Sequence, residues 1–174
     1  MVRSLQACSV GPGQRDIADG VDSSGVCRGN VLREKQMVME NRIFDFLVGQ
    51  KNLALATVYG DKPHVRVFRT MFVEGESLFF ATSSEWEPYA ELQINPSLEL
   101  LAAEGNISVR VEGKAHFDVS DEMARRIWKG SDLLQRLFSD YRDPVYFRVP
   151  VRKMHYYDIS TNPPTQQFVD RTKK

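Results

Sequence analysis

Several hydroxyl side chains are placed where they could bind an anion. Thr82, Ser83 and Ser84 follow a predicted strand and come just before a predicted helix. Hydroxyls and free backbone N–H groups at such a position form an anion site, but they equally serve as a plain helix cap. The sequence alone leaves both interpretations open.

Arg69 has an unusual position in the pattern. It shares the apolar face of a predicted strand over 64–73 with Val65, Val67 and Met71. An unpaired buried guanidinium is costly. A ligand anion such as phosphate would satisfy it, as would a salt bridge at the strand end or a bulge that turns the side chain outward.

Arg110 lies on the polar face of the clearest strand, 108–118. The opposite face carries Val109 and Val111, and this period of two means that one side is buried while the other faces water or a ligand. Arg110 is therefore either a solvated residue or a ligand contact that reaches across a dimer.

Other kinds of site find no support. The three histidines, His64, His116 and His155, lack ligand-like spacing, so we predict no metal site. There is no Ser/His/Asp set and no glycine-rich phosphate loop. Lys plus Arg equals Asp plus Glu at 23 each, and this zero net charge argues against nucleic acid as the main partner.

The small number of cysteines and the short apolar runs predict the cellular setting. Cys8 and Cys27 are the only cysteines, and two thiols make no disulfide framework, so a reducing cytoplasm is expected. No apolar run approaches the ~18 residues of a membrane span.

The chain of 174 residues is long enough for one domain. Residues 1–33 are rich in glycine without periodicity, which predicts an extension that is disordered or non-native, ahead of a folded domain over 34–174. A helix is expected over 34–48 and shorter ones over 89–94 and between 120 and 138. Strands are predicted over 53–59, 64–73, 78–81, 98–103, 108–118, 145–149 and 153–159.

Consecutive hairpins without β-α-β alternation indicate an antiparallel sheet, and closure into a barrel would remove exposed edges. The predicted fold class is therefore mainly β (α+β): a six- to seven-stranded antiparallel β-barrel with two or three short helices.

Five segments in this order carry a family resemblance. They read LATV at 55–58, PHVR at 63–66, LFFATS at 78–83, YAELQINP at 89–96 and VRVEGKA at 109–115. Over residues 40–168 the chain resembles the FMN-binding split β-barrels, which are pyridoxamine 5'-phosphate oxidase-like. Within them it is most similar to short bacterial general-stress and nitroimidazole-resistance flavoproteins.

The resemblance assigns roles to one strand. Arg66 would lie against the flavin and help to hold its phosphate or ribityl chain, although a solvated strand arginine fits the pattern too. The backbone of Val67, Phe68 and Arg69 would pass along the edge of the flavin ring. Thr82, Ser83 and Ser84 match the segment that meets the phosphate in relatives.

One segment departs from the family pattern. Relatives commonly carry Lys or Arg just after Ser84, whereas this chain has EWEP at 85–88. Two acids near a phosphate repel it unless they point away. FMN phosphate binding would then be weakened, or depend on Arg66, Arg69 or Arg110, or be lost. Trp86 would stack on the flavin ring or cover the barrel mouth.

The resemblance implies an FMN-dependent oxidoreductase that works as a homodimer, with FMN between the subunits. It would pass hydride or electrons from a reduced nicotinamide or flavin to a small acceptor. The alternatives are a non-catalytic FMN store or sensor, a haem-binding relative with an axial histidine, and an interaction module without cofactor. Vitamin B6 oxidation is not expected, because FVDRTKK at 168–174 replaces the Arg-Leu-Ala-Pro-like ending of true pyridoxamine phosphate oxidases.

Overall fold

The computed structural model describes residues 28–173, so most of the predicted extension over 1–33 lies outside the described residues. Helix α1 spans Arg28–Gly49 and begins six residues earlier than predicted. The chain divides within this helix into two compact units, and the unit Glu40–Lys174 contains the remaining elements. Ile43 and Leu47 are buried, as the apolar stripe predicts.

The described residues form two antiparallel sheets and three short helices after α1. The helices are α2 (Glu87–Ile94), α3 (Asp121–Lys129) and α4 (Asp132–Leu137). The larger sheet has the order β2-β1-β5-β6-β8-β9 and the smaller one β3-β4-β7. Their bounds are β1 Asn52–Tyr59, β2 Lys62–Arg69, β3 Phe72–Glu74, β4 Ser77–Thr82, β5 Ser97–Glu104, β6 Ile107–Lys114, β7 Val145–Pro150, β8 Lys153–Asp158 and β9 Thr165–Asp170.

The fold class is confirmed as mainly β with an antiparallel arrangement, but there are nine strands rather than six or seven. One extra strand, β9, was not predicted. The other arises because the predicted strand over 64–73 is two strands. The Thr70 N–H donates to the Lys51 carbonyl in the larger sheet, while the Met71 N–H donates to the Phe79 carbonyl in the smaller one. The chain thus changes sheets between these two residues.

Tight turns fix the register of the strands that carry the site. Two-residue loops join β1 to β2 and β5 to β6, and each begins with a glycine at positive φ, Gly60 at 63° and Gly105 at 57°. Such φ values are costly for residues with a Cβ, which is why glycine begins these hairpins.

Aromatic side chains join the two sheets. The Phe147 and Phe80 rings stack with centroids 5.3 Å apart, and the Phe68 ring meets both edge-on at 6.0 and 6.3 Å. Phe147 and Phe80 are fully buried. Because Phe68 lies on β2, this cluster also fixes the inner face of the strand that carries most of the predicted site.

Helices α3 and α4 cover the outer face of the smaller sheet. Met123 and Ile127 of α3 and Leu134 of α4 pack against Phe79 and Tyr146. Hydroxyl caps begin both helices: the Ser120 side chain accepts from the Met123 N–H and the Ser131 side chain from the Leu134 N–H.

A buried arginine ties the last turn to α1. The Arg171 guanidinium donates to Glu76 Oε1 at 3.1 Å and to the Glu40 carbonyl at 3.1 Å, and it lies over the Phe44 ring at 5.1 Å. Among residues 28–173, no helix combines the length and the apolar character needed to cross a bilayer.

Candidate functional site

A cleft of about 710 Å³ runs along the open edge of β2. One wall is the strand itself, and the other comes from α4 and from the segment that begins α2. Five of the nine predicted cofactor-binding residues line this β2 cleft, namely Arg66, Val67, Phe68, Arg69 and Trp86. The opposite wall is mainly apolar and includes Leu133, Leu134, Leu137 and Phe138.

The cleft exposes backbone hydrogen-bonding groups. The register pairs Asn52 with Arg69, so Lys51 and Thr70 are the next partners along the two strands. The Thr70 N–H donates to the Lys51 carbonyl, which makes this a hydrogen-bonded pair. Antiparallel partners alternate between hydrogen-bonded and non-hydrogen-bonded pairs. The N–H and C=O groups of Arg69 and Val67 therefore point away from β1 toward the open edge, where a planar heterocycle with ring nitrogens and oxygens would find them.

The expectation that Arg69 is buried on an apolar face is wrong. Arg69 is exposed, and its face-mates Val65 and Val67 are 68% and 72% exposed. The face that points into the core carries His64, Arg66 and Phe68 instead. The pattern misled because the change of sheet after Thr70 places Met71 in a different environment from Val65 and Val67.

Arg66 belongs to a network of polar groups between β1, β2 and α2. Its guanidinium donates to both carboxylate oxygens of Glu91, at 2.8 and 3.1 Å, and to the Thr57 hydroxyl at 2.7 Å. The Thr57 hydroxyl in turn donates to Glu91, and His64 Nδ1 lies 2.5 Å from Glu91 Oε1. An acid of the protein itself therefore takes the bidentate position that a phosphate would take on Arg66.

Glu91 is only 3% exposed and remains ionised because of these partners. Burial raises its pKa, but hydrogen bonds from Thr57, Arg66 and His64, together with the charge of Arg66, outweigh burial. The pKa falls from 4.5 to about 2. The network therefore holds a permanent negative charge beside Arg66 at neutral pH.

The three predicted hydroxyl residues, Thr82, Ser83 and Ser84, do not line the β2 cleft. Thr82 is fully buried, and its hydroxyl has no hydrogen-bond partner within the described part of the chain. The Ser83 hydroxyl accepts from the Glu85 N–H at 3.2 Å and Ser84 is exposed, yet neither is among the residues that line the β2 cleft. The alternative of a helix cap also fails, because the residue before α2 is Trp86 and its side chain makes no capping bond.

The segment at 85–88, which differs from the family pattern, forms the rim of the β2 cleft. Glu85, Trp86 and Glu87 all line it, and the Trp86 ring lies against Phe138 with centroids 6.1 Å apart. From this position Trp86 could either stack on a flavin ring or cover the mouth of the cleft, and both roles stay predictions. Both acids lie on the same rim, so this end of the cleft disfavours an anion.

Arg110 is remote from the cleft within one chain. It lies on β6, three strands from β2, which corresponds to about 14 Å. It pairs at 3.6 Å with Glu99 and at 3.7 Å with Glu112 on the outer face of the larger sheet.

Two of the three histidines are engaged by acids: His64 by Glu91, and His155 by Glu112 at 2.8 Å. In the described residues, no three His, Cys, Asp or Glu side chains converge on a common metal position.

Sequence reasoning missed Glu91, Thr57 and the role of His64. The sequence did contain a signal for an acidic partner. His64 and Arg66 share one strand face with Phe68, and two basic side chains that face a core need an acid to pair with them. The acid lies 25 residues from Arg66 on another element, so its identity depends on the tertiary structure.

The family model described as pyridoxamine 5'-phosphate oxidase matches residues 39–158, which is more than half of the chain. The chain belongs to the pyridoxamine 5'-phosphate oxidase family. The chain is 33% identical over 114 residues to general stress protein 26 of Bacillus subtilis (strain 168). The alignment covers 63% of this chain and 79% of that protein.

Among the solved structures that share the fold are two bacterial proteins. A protein from Clostridium acetobutylicum related to general stress protein 26 superposes with a TM-score of 0.63 at 14% identity, over 80% of this chain and 97% of that one. A FAD-binding protein from Mesorhizobium loti superposes with a TM-score of 0.55 at 15% identity, over 66% and 91%.

Proposed function

We propose that this chain binds FMN in the β2 cleft and works as an oxidoreductase in the reducing cytoplasm that its two cysteines predict. The observation that carries the proposal is the convergence of Arg66, Val67, Phe68, Arg69 and Trp86 on one cleft in a member of this family. A neighbour of the same fold is a FAD-binding protein, which supports a flavin, although a haem-binding protein from Mycobacterium smegmatis shares the fold as well, with a TM-score of 0.60 at 15% identity.

The cleft residues fit the ring of a flavin. An isoalloxazine needs a flat apolar slot with a few backbone donors and acceptors at its edge. Leu133, Leu137 and Phe138 supply apolar surface, and the open edge of β2 supplies the N–H and C=O groups of Val67 and Arg69.

Each part of the wall has a distinct task in this proposal. Phe68, packed in the aromatic cluster, keeps β2 straight against the ring. Arg66 is fixed by Glu91 and holds one end of the slot without being free to rotate. When bound, FMN would accept two electrons from a reduced nicotinamide or flavin and pass them to a small acceptor.

The alternatives find less support from the geometry. The haem-binding alternative, with an axial histidine, calls for a histidine that faces the ligand cavity. His64 and His155 are hydrogen-bonded to carboxylates, and His116 lines a separate cavity of about 910 Å³ rather than the β2 cleft. A non-catalytic FMN store uses the same cleft, so turnover distinguishes it from an enzyme.

The visible spectrum of the purified full chain tests the proposal. Flavin bands near ~370 and ~450 nm, or their appearance when FMN is added, are expected. Oxidation of NADH or NADPH with a quinone or nitro compound then separates an enzyme from a store. A colourless protein that takes up neither FMN nor riboflavin contradicts the proposal.

A charge placed inside the β2 cleft should weaken flavin binding. We expect Leu137→Glu to weaken both FMN and riboflavin by at least about 10-fold, because a carboxylate would be desolvated against the ring. Leu137 is half exposed, so the fold should tolerate the change. Flavin fluorescence quenching measures the affinity. Ile94→Glu is the matched control, since Ile94 is exposed outside the cleft; equal losses in both variants would contradict the cleft assignment.

The proposal includes a homodimer formed by the outer face of the larger sheet. Val65 and Val67 are exposed there, and the register places them beside Ala56 and Ala54 of β1, with Leu101 of β5 next to Ala54. A contiguous apolar patch on an edge strand favours association with a second copy. Because Arg110 lies on the same face, the partner's cleft would then be within its reach.

Val65→Glu should therefore convert a dimer into a monomer without unfolding it. Val65 is already exposed, so the fold loses little, whereas a dimer would bury two unpaired carboxylates. Light scattering after size exclusion measures the mass, and circular dichroism monitors the fold. Ile159→Glu, at an exposed position beyond β8, should leave the mass unchanged. A wild-type monomer would contradict the dimer.

A further inference from the structure

A second cavity of about 440 Å³ adjoins the β2 cleft. The two cavities share Arg69, Met71 and Leu133 as lining residues. We name the second cavity the cationic pocket, because Lys51, Arg69 and Arg136 line it. One ligand can therefore reach from the cleft into the pocket past Arg69.

The three cations of this pocket have no ion-pair partner in the structure of residues 28–173. They come from three different elements: the residue before β1, the end of β2, and α4. The single acid that lines the pocket is Asp132. The pocket therefore has an excess of positive charge that the fold itself does not neutralise.

An unsatisfied hydroxyl lies in the same wall. Thr70 lines the cationic pocket, and its Oγ1 is buried with no hydrogen-bond partner within the described range. A buried hydroxyl without a partner costs free energy, and an ordered water or a ligand oxygen can supply the missing hydrogen bond. This is a separate observation from the charges, and a polar group that enters the pocket beside Thr70 would supply the missing partner.

We propose that the cationic pocket holds a phosphoryl group, either of the flavin whose ring occupies the β2 cleft or of a dinucleotide that docks beside that ring. The inference rests on the proposed function, because it takes the flavin ring as the occupant of the cleft. The phosphoryl group is either the 5'-phosphate of FMN or a phosphate of the dinucleotide that donates electrons.

The charges along the cavity decide the position of this group. At Arg66, Glu91 already occupies the guanidinium with two hydrogen bonds. At the rim, Glu85 and Glu87 would repel a dianion. The far end, beyond Arg69, carries the unneutralised cations, so a phosphoryl group has its most favourable electrostatic energy there.

The test compares FMN with riboflavin, which differ only in the phosphate. Lys51 and Arg136 line the pocket but not the cleft, so Lys51→Gln and Arg136→Gln leave the ring site intact. We expect each to weaken FMN by about 5-fold, which corresponds to about 1 kcal/mol, without changing the riboflavin affinity. Lys62→Gln is the matched control, because Lys62 lies at the opposite end of β2 from Arg69, about 23 Å along the strand.

The two sources of the phosphate give different results. If the pocket holds the FMN phosphate, the ratio of FMN to riboflavin affinity falls in both variants. If it holds a donor phosphate, that ratio stays constant and the KM for NADPH rises about 5-fold in both variants. If neither changes, the inference is wrong.

An experiment without flavin keeps the inference separate from the proposed function. Inorganic pyrophosphate is titrated into the ¹⁵N-labelled full chain while the amide signals of Thr70 and Ser131, which line the pocket, are followed. Saturable shifts that Arg136→Gln weakens support the pocket, even if neither flavin binds. Absent shifts, or shifts that Arg136→Gln leaves unchanged, overturn it, whatever the cleft binds.

Discussion

Replacing Glu91 by alanine should lower the free energy of unfolding by about 3 kcal/mol. Glu91 is almost fully buried and accepts from Thr57, Arg66 and His64. Removing one member of a buried charged network leaves the others without a counter-charge, which typically costs about 3–5 kcal/mol. The lower end applies because Arg66 and His64 are partly exposed. Urea unfolding monitored by tryptophan fluorescence measures the change.

The control is an acid in an exposed ion pair. Glu99 is half exposed and lies 3.6 Å from Arg110, so Glu99→Ala should cost no more than about 1 kcal/mol. If Glu91→Ala costs no more than Glu99→Ala, the network contributes nothing to stability and the buried arrangement described for it is wrong.

The pH dependence of stability gives a second measure of the same network. The pKa of Glu91 drops from 4.5 to about 2 on folding, so its stabilisation is complete above pH 4.5 and is lost as the pH falls toward 2. The full drop corresponds to about 3 kcal/mol. We expect the stability difference between the wild type and Glu91→Gln to be constant near pH 7 and to shrink steadily below pH 4.5. A difference that does not change with pH would contradict this pKa.

Replacing Phe147 by alanine should have an equal or larger effect, about 3–5 kcal/mol. The Phe147 ring is fully buried and contacts the rings of Phe80, Phe68 and Phe117 at 5.3, 6.0 and 5.7 Å. Its loss leaves a cavity where the two sheets meet, because the surrounding side chains come from different strands and cannot all move inward. Thermal unfolding should show Tm lower by roughly 10 °C.

Phe168→Ala is the comparison, because Phe168 is half exposed on the edge strand β9. It should cost less than about 1 kcal/mol, and the contrast isolates burial from side-chain size. Because Phe68 belongs to the same cluster, Phe147→Ala should also loosen flavin binding, with riboflavin and FMN affected equally. Similar stability losses at both positions would show that Phe147 does not join the sheets.

The antiparallel fold could be predicted because its signals are local. The period-2 alternation at the start of 108–118 and the glycine turns within the hairpins depend only on neighbouring residues. The break between Thr70 and Met71 could not be predicted, because apolar residues continue at the same spacing while the chain passes from one sheet to the other. Strand β9 was missed because its sequence, TQQFVD, is mostly polar, as an edge strand with one buried valine permits.

The site was predictable only in part for the same physical reason. Arg66, Val67, Phe68 and Arg69 lie on one strand, so their proximity follows from the sequence once β2 is identified. The partner that neutralises Arg66 lies on α2, and the cations that accompany Arg69 come from other elements. Such pairings depend on how the elements pack, which spacing along the chain does not specify.

The contact between Arg171 and the carbonyl of Glu40 has a practical use in protein engineering. It brings the first residue of the compact unit within hydrogen-bonding distance of its last turn, at 3.1 Å. A short glycine linker would therefore be enough to join the two, and new ends could be opened at the Gly105 hairpin, which lines neither the β2 cleft nor the cationic pocket. A circularly permuted variant would then carry a reporter domain at a turn outside the lining of both proposed ligand cavities.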